Sequence, residues 1–191
     1  MSRNKVIAIL SILLLLINAG CSSTKDMNRT KTVEHLELDK FLGQWYEIAR
    51  YDHSFERRLS GVTATYSMRE DGKIKVLNQG YKGGLQGELS QAEGKAKIPN
   101  PQEPAKLKVS FFWFFYGDYF VLELDEQDYQ WALIGSSSEK YLWILSRTPQ
   151  LEDADKKNIL QKMKERGYDE ELLIWVEQEE SEGQRQMTVD G

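Results

Sequence analysis

The chain has 191 residues, with 25 basic and 30 acidic side chains and a formal net charge of −5. That balance disfavours nucleic acid, whose affinity rests on basic contacts to phosphate, and electrostatic attachment to an anionic bilayer. One cysteine excludes an intrachain disulfide, so the fold must hold by its packed core, and the length fits a single domain.

The first 21 residues read as a secretory signal. Arg3 and Lys5 make a basic start, residues 6–17 are apolar but for Ser11, and Ala19 and Gly20 precede Cys21. The apolar run is short for a spanning helix, which takes about 20 residues. Small residues directly before the only cysteine resemble the lipobox of bacterial lipoproteins. That resemblance implies lipidation of Cys21 and, with Ser22 following, lipid anchoring in the outer membrane. Residues 22–37 are polar and are expected to form a tether.

From residue 43 the pattern is of short strands separated by turn signals. The first is 43–52. In 61–70, Val62, Ala64, Tyr66 and Met68 alternate with Thr63, Thr65 and Ser67. Asp71-Gly72 is a hairpin signal. In 73–81, Ile74, Val76, Asn78 and Gly80 share a face. Segments 87–98, 105–113, 118–124, 129–136 and 140–146 complete about eight strands. Residues 152–166 then take a helical period, with Ile159, Leu160 and Met163 on one side, acids near the start and bases near the end. Gly167 suits the position after the helix. A last apolar strand covers 172–176, and 179–191 reads as a mobile tail. Eight sequential antiparallel strands favour closure into a barrel, which removes exposed edges and at this strand number can hold one small ligand.

Gly43-Gln44-Trp45-Tyr46-Glu47 resembles the G-x-W signature that opens the first strand of lipocalins. Gly117-Asp118-Tyr119 takes the place of the second family motif, and Trp143-Ile144-Leu145-Ser146-Arg147 that of the third. The stretches 45–50, 54–56, 73–79 and 103–112 resemble the branch that holds apolipoprotein D and the bacterial lipocalins. The resemblance implies an all-β fold over 38–178: an eight-stranded antiparallel up-and-down barrel, with one C-terminal α-helix and a final short strand packed outside. It also implies a structural role for Gly43, Trp45 and Arg147, the arginine lying across the tryptophan to close one end of the barrel. The first long loop is expected to arch over the other end.

Strand parity sets Tyr141 and Trp143 on the face of Arg147, so both are expected to point inward, and in lipocalins mid-barrel aromatics line the ligand cavity. Tyr66 and Asn78 are polar residues on otherwise apolar inward faces; each either has a local partner or orients a head group. Glu47 shares parity with Trp45. Facing inward, it opposes a carboxylate ligand and suits a zwitterionic or cationic head group, unless a base pairs it. Ala92, Gly94 and Ala96 are expected to leave volume for a ligand, or merely to kink the fourth strand. Arg57 and Arg58 either meet a phosphate at the open end or are solvated. The six aromatics 111–116 cannot all face inward; the run is core and loop packing, or an exposed patch that faces a membrane or a second copy of the chain. Its ends, Phe111 and Tyr116, are candidate ligand contacts.

No cluster has zinc spacing, His35 and His53 lie far apart, and Ser136-Ser137-Ser138 has no nucleophile-elbow context, so no catalytic residue, metal or cofactor is expected. The function expected is carriage of a fatty acid or lysophospholipid at the bacterial envelope, with a homodimer possible. The alternatives are an envelope scaffold and, less favoured, an enzyme acting on a bound lipid or isoprenoid.

Overall fold

The computed structural model describes residues 28–54 and 56–179. The expected signal with Cys21, residues 22–27, Phe55 and nearly all of the expected tail lie outside the described residues. A short helix α1 (Leu38–Phe41) leads into β1 (Gly43–Arg50), β2 (Leu59–Met68), β3 (Ile74–Lys82), β4 (Glu88–Lys97), β5 (Lys106–Phe112), β6 (Phe115–Leu124), β7 (Trp131–Gly135) and β8 (Leu142–Ser146). Helix α2 (Asp153–Glu165), a 3₁₀ turn (Glu170–Leu172) and β9 (Ile174–Trp175) follow. Each of β1 to β8 pairs antiparallel with its neighbour, and β8 pairs with β1, so the sheet closes on itself.

Closure is uneven along the seam of β1 and β2. The two strands pair only from Gly43↔Tyr66 to Tyr46↔Thr63. Beyond that point they part, and the chain after α2 occupies the gap. Strand β9 pairs with Ala49 and Arg50 on one side. Gly61 N donates to Glu177 O on the other, at 2.7 Å. The Gln178 side-chain amide then donates to Glu47 O at 2.7 Å and to Val62 O at 3.0 Å, tying both strands.

The apolar runs of β7 and β8 follow from burial on both faces. Leu133, Leu142 and Ile144 pack outward against Ile159 and Met163 of α2, whereas Ile134 and Leu145 join the interior core. At one end of the interior core Phe41 and Trp45 meet, with ring centroids 5.1 Å apart. There the Arg147 guanidinium lies 3.7 Å from the Trp45 ring and donates to the carbonyls of Gln44, Leu42, Lys40 and Tyr129. Gly43 has φ +91°, a conformation that favours glycine, and sits directly against Arg147. Residues 28–37, within the stretch expected as a tether, run along the barrel wall: Val33 N donates to Val121 O, and Leu36 is buried.

Candidate ligand-binding site

The end opposite Arg147 is open, and the interior between is hollow. One lobe of about 440 Å³ is lined by Tyr66, Tyr119, Tyr141, Trp143 and Leu145, and by the 136–138 turn at the rim. A second, of about 350 Å³, lies against Leu59, Val62, Gln91 and Ala92. Glu56, Asn78 and Phe111 border both lobes and so stand between them. The volumes fall in the range of small-molecule sites.

A buried polar cluster occupies this neck. The β1–β2 loop folds inward and carries Glu56 into the barrel. Trp143 Nε1 donates to its carboxylate at 3.0 Å and Asn78 Nδ2 at 3.4 Å. Arg50 Nη1 donates to Glu47 Oε1 at 2.7 Å, and Arg50 Nη2 to the backbone carbonyl of Glu56 at 2.7 Å. His53 Nε2 lies 3.2 Å from Glu56 Oε2, its ring 5.0 Å from that of Trp143. Tyr141 stacks on Trp143 at 6.0 Å, and the hydroxyls of Tyr66 and Tyr119 share a hydrogen bond of 2.7 Å.

Two carboxyls thus face one guanidinium out of water. Burial first, then the charge of Glu56, raises the Glu47 carboxyl well above its ordinary range against the pull of Arg50. Burial likewise raises Glu56, opposed chiefly by the Trp143 hydrogen bond and by Arg50. The pair therefore keeps a proton to higher pH than free carboxyls do. Burial, then Arg50, lowers His53 to about 4, so the ring is neutral at pH 7. Burial raises both Tyr66 and Tyr119, which stay un-ionised.

Of the residues singled out in the sequence, Tyr66, Asn78, Glu47, Phe111, Tyr116, Tyr141 and Trp143 all border the cavity. Glu47 faces inward and is engaged by Arg50. For the fourth strand and the first long loop the structure decides between the alternatives that the sequence leaves open. The fourth strand's small residues do not all open space: Ala96 is packed in the closed-end core, and a Cβ at Gly94 would meet Ser110 O at 2.7 Å and the Phe111 ring at 2.8 Å. Arg57 is exposed and held by Asp52 at 2.7 and 3.0 Å, and neither it nor Arg58 lines the cavity. The acid that faces Glu47 is Glu56. Sequence reasoning passed over Glu56, Arg50 and His53. An acid in a polar loop reads as solvated, and only the inward fold of the loop makes it interior.

The sequence profile of the Lipocalin-like domain matches residues 36–178. The chain is 46% identical over 172 residues to outer membrane lipoprotein Blc of Vibrio cholerae serotype O1, covering 90% of this chain and 99% of that one. It is 45% identical over 159 residues to outer membrane lipoprotein Blc of Escherichia coli K12, covering 83% and 89%. Among solved structures, insecticyanin of the tobacco hornworm Manduca sexta superposes with a TM-score of 0.62 at 23% identity, covering 81% and 86%, which speaks to the fold. With the barrel, the Trp45–Arg147 closure and a profile match over most of its length, the chain belongs to the lipocalin family.

Proposed function

We propose that this protein is a lipid carrier of the bacterial outer membrane, anchored through acylated Cys21, which holds one single-chain amphiphile in its barrel. The observation that carries this reading is the two-lobed interior: an aromatic and aliphatic lining broken by one polar cluster. Such a lining binds an acyl chain by contact along its length, at about 0.8 kcal/mol per buried CH₂. The hollow barrel argues against a scaffold that merely presents its surface. The names of the two Blc relatives support the location.

The neck favours a lysophospholipid over a free fatty acid. Glu47 and Glu56 already share the single guanidinium of Arg50, so a further carboxylate would add uncompensated negative charge. Asn78 Oδ1 is buried without a hydrogen-bond partner and calls for a donor such as a hydroxyl or ammonium. One observation favours a second reading, an enzyme acting on bound lipid: paired carboxyls with raised pKa inside a cavity are what acid–base chemistry requires. The carrier reading is preferred because Arg50, Trp143 and Asn78 commit that pair to holding the loop. Native mass spectrometry of protein purified from its membrane tests the proposal. One lysophospholipid or fatty acid per barrel is expected, released unchanged. An empty barrel that takes up neither on titration overturns the proposal, and so does release of a chemically altered lipid.

A further inference from the structure

The hairpin of β5 and β6 ends in four consecutive aromatic side chains in water: Phe112, Trp113, Phe114 and Phe115 are 73%, 77%, 70% and 70% exposed. Among the described residues the other large apolar side chains on the surface are less exposed, and Trp175 among them is covered by Lys156 at 4.1 Å. An aromatic cluster of this kind marks a contact surface. Its place is specific. The neighbouring residues Phe111 and Tyr116 line the cavity, and Ser137 of the rim turn hydrogen-bonds Asp118 on β6, so the tip stands beside the mouth. Lys95 and Lys97 lie at 5.9 and 4.6 Å over the Tyr116 ring, setting cations just behind the tip.

The path of the N-terminal segment identifies what the tip meets. Arg29 Nη1 lies 2.8 Å from Glu139 Oε2 in the β7–β8 loop, at the open end. Asn28 is held there too, its side chain donating to Glu165 O and its carbonyl accepting from Arg166. From this point the chain descends past Val121 to Phe41 at the closed end. Cys21 is seven residues before Asn28, a reach of at most about 25 Å at roughly 3.6 Å per residue. An acyl anchor on Cys21 is therefore tethered within about 25 Å of the open end.

We infer that the aromatic tip is a membrane-docking element: the 112–115 hairpin inserts into the interface of the phospholipid bilayer that holds the anchor, so that the cavity opens onto the membrane surface. Tryptophan and phenylalanine partition favourably to that depth, where lysines behind them meet lipid phosphates. A lipid then passes between bilayer and barrel without crossing bulk water. The inference rests on the anchored reading of Cys21.

The test uses the acylated full-length protein reconstituted into vesicles of phosphatidylethanolamine and phosphatidylglycerol, some brominated at upper acyl carbons. Bromolipid is expected to quench emission, and Trp113→Phe to lose most of that quenching while still sedimenting with the vesicles. Protein that sediments but leaves Trp113 open to aqueous acrylamide and untouched by bromolipid overturns the docking and spares the anchor. Trp113 shielded from both quenchers, in a species of twice the mass, overturns it in favour of a second copy of the chain. Failure to sediment at all overturns the anchor, and the docking with it.

Discussion

Trp143 and Glu56 meet across the cavity although 87 residues separate them: the indole Nε1 donates to the Glu56 carboxylate at 3.0 Å. This bond joins the β8 wall to the β1–β2 loop, so a side chain that lines the site also holds the loop in place.

Trp143→Phe keeps most of the ring and deletes the donor. It leaves a buried carboxyl short of a partner, at a cost of about 1–3 kcal/mol in stability. If an acyl chain lies against the indole, the variant also loses most of the emission change seen on titration with a lysophospholipid. Urea unfolding and the titration check the two effects separately. An unchanged emission response would remove Trp143 from the site.

Phe111 stands between the two lobes. Phe111→Ala is expected to join them. Affinity for a slender single-chain amphiphile should fall by about 1–2 kcal/mol through lost contact, whereas bulkier two-chain lipids should gain. Competition titrations with the two classes read the ratio; a parallel loss for both would mean that the ring does not partition the space.

Stability should depend on pH with two opposing signs. Folded His53 stays neutral down to about 4, whereas the unfolded side chain takes a proton near 6.5. As pH falls through that window the unfolded state binds more protons, so stability drops, by about 1–3 kcal/mol. Glu47 acts the other way. Its raised pKa gives a contribution that is full below the ordinary 4.5 and is lost as pH rises toward the raised value. His53→Phe should thus flatten the acid side of the profile, and Glu47→Gln should gain on wild type with rising pH. Urea midpoints between about pH 4 and 8 decide it; curves parallel to wild type would show that neither group titrates as described.

Arg147→Ala removes the cover from Trp45 and the donor to four carbonyls, and should cost about 2–4 kcal/mol. Lysine should restore little, since one ammonium cannot span the ring and those carbonyls together. Binding per folded molecule should be kept, because the closed end lies away from the neck. Urea titration beside a binding assay on the folded fraction measures both. Lost binding at unchanged stability would place Arg147 in the site.

What the sequence displayed was whatever depends on near neighbours. The alternation of Val62, Ala64 and Tyr66, the Asp71-Gly72 turn, with Gly72 at φ +74°, and the helical spacing of Ile159 and Met163 are local patterns that stand where their period put them, although the strand runs Leu59–Met68 and Met68 at its end is exposed. Parity also carried Tyr66, Asn78, Tyr141 and Trp143 to the interior. Glu56 was illegible because its burial comes from the path of a loop, not from any period. The same holds for Gly94, whose space is filled by Phe111 from the next strand, and for Val33 and Leu36, apolar residues too sparse to mark 28–37 as part of the wall.

The Gln178 bridge also makes closure of the wall wait on the last part of the chain. Strands β1 and β2 emerge early in synthesis, yet the slot between them is filled by residues 174–178, among the last to be made. Until those are in place, the wall between β1 and β2 is unzipped beyond Tyr46 and Thr63, and its backbone donors and acceptors are available to any passing strand. A chain stopped at about residue 172 would keep every element that lines the cavity and still be a container that does not shut.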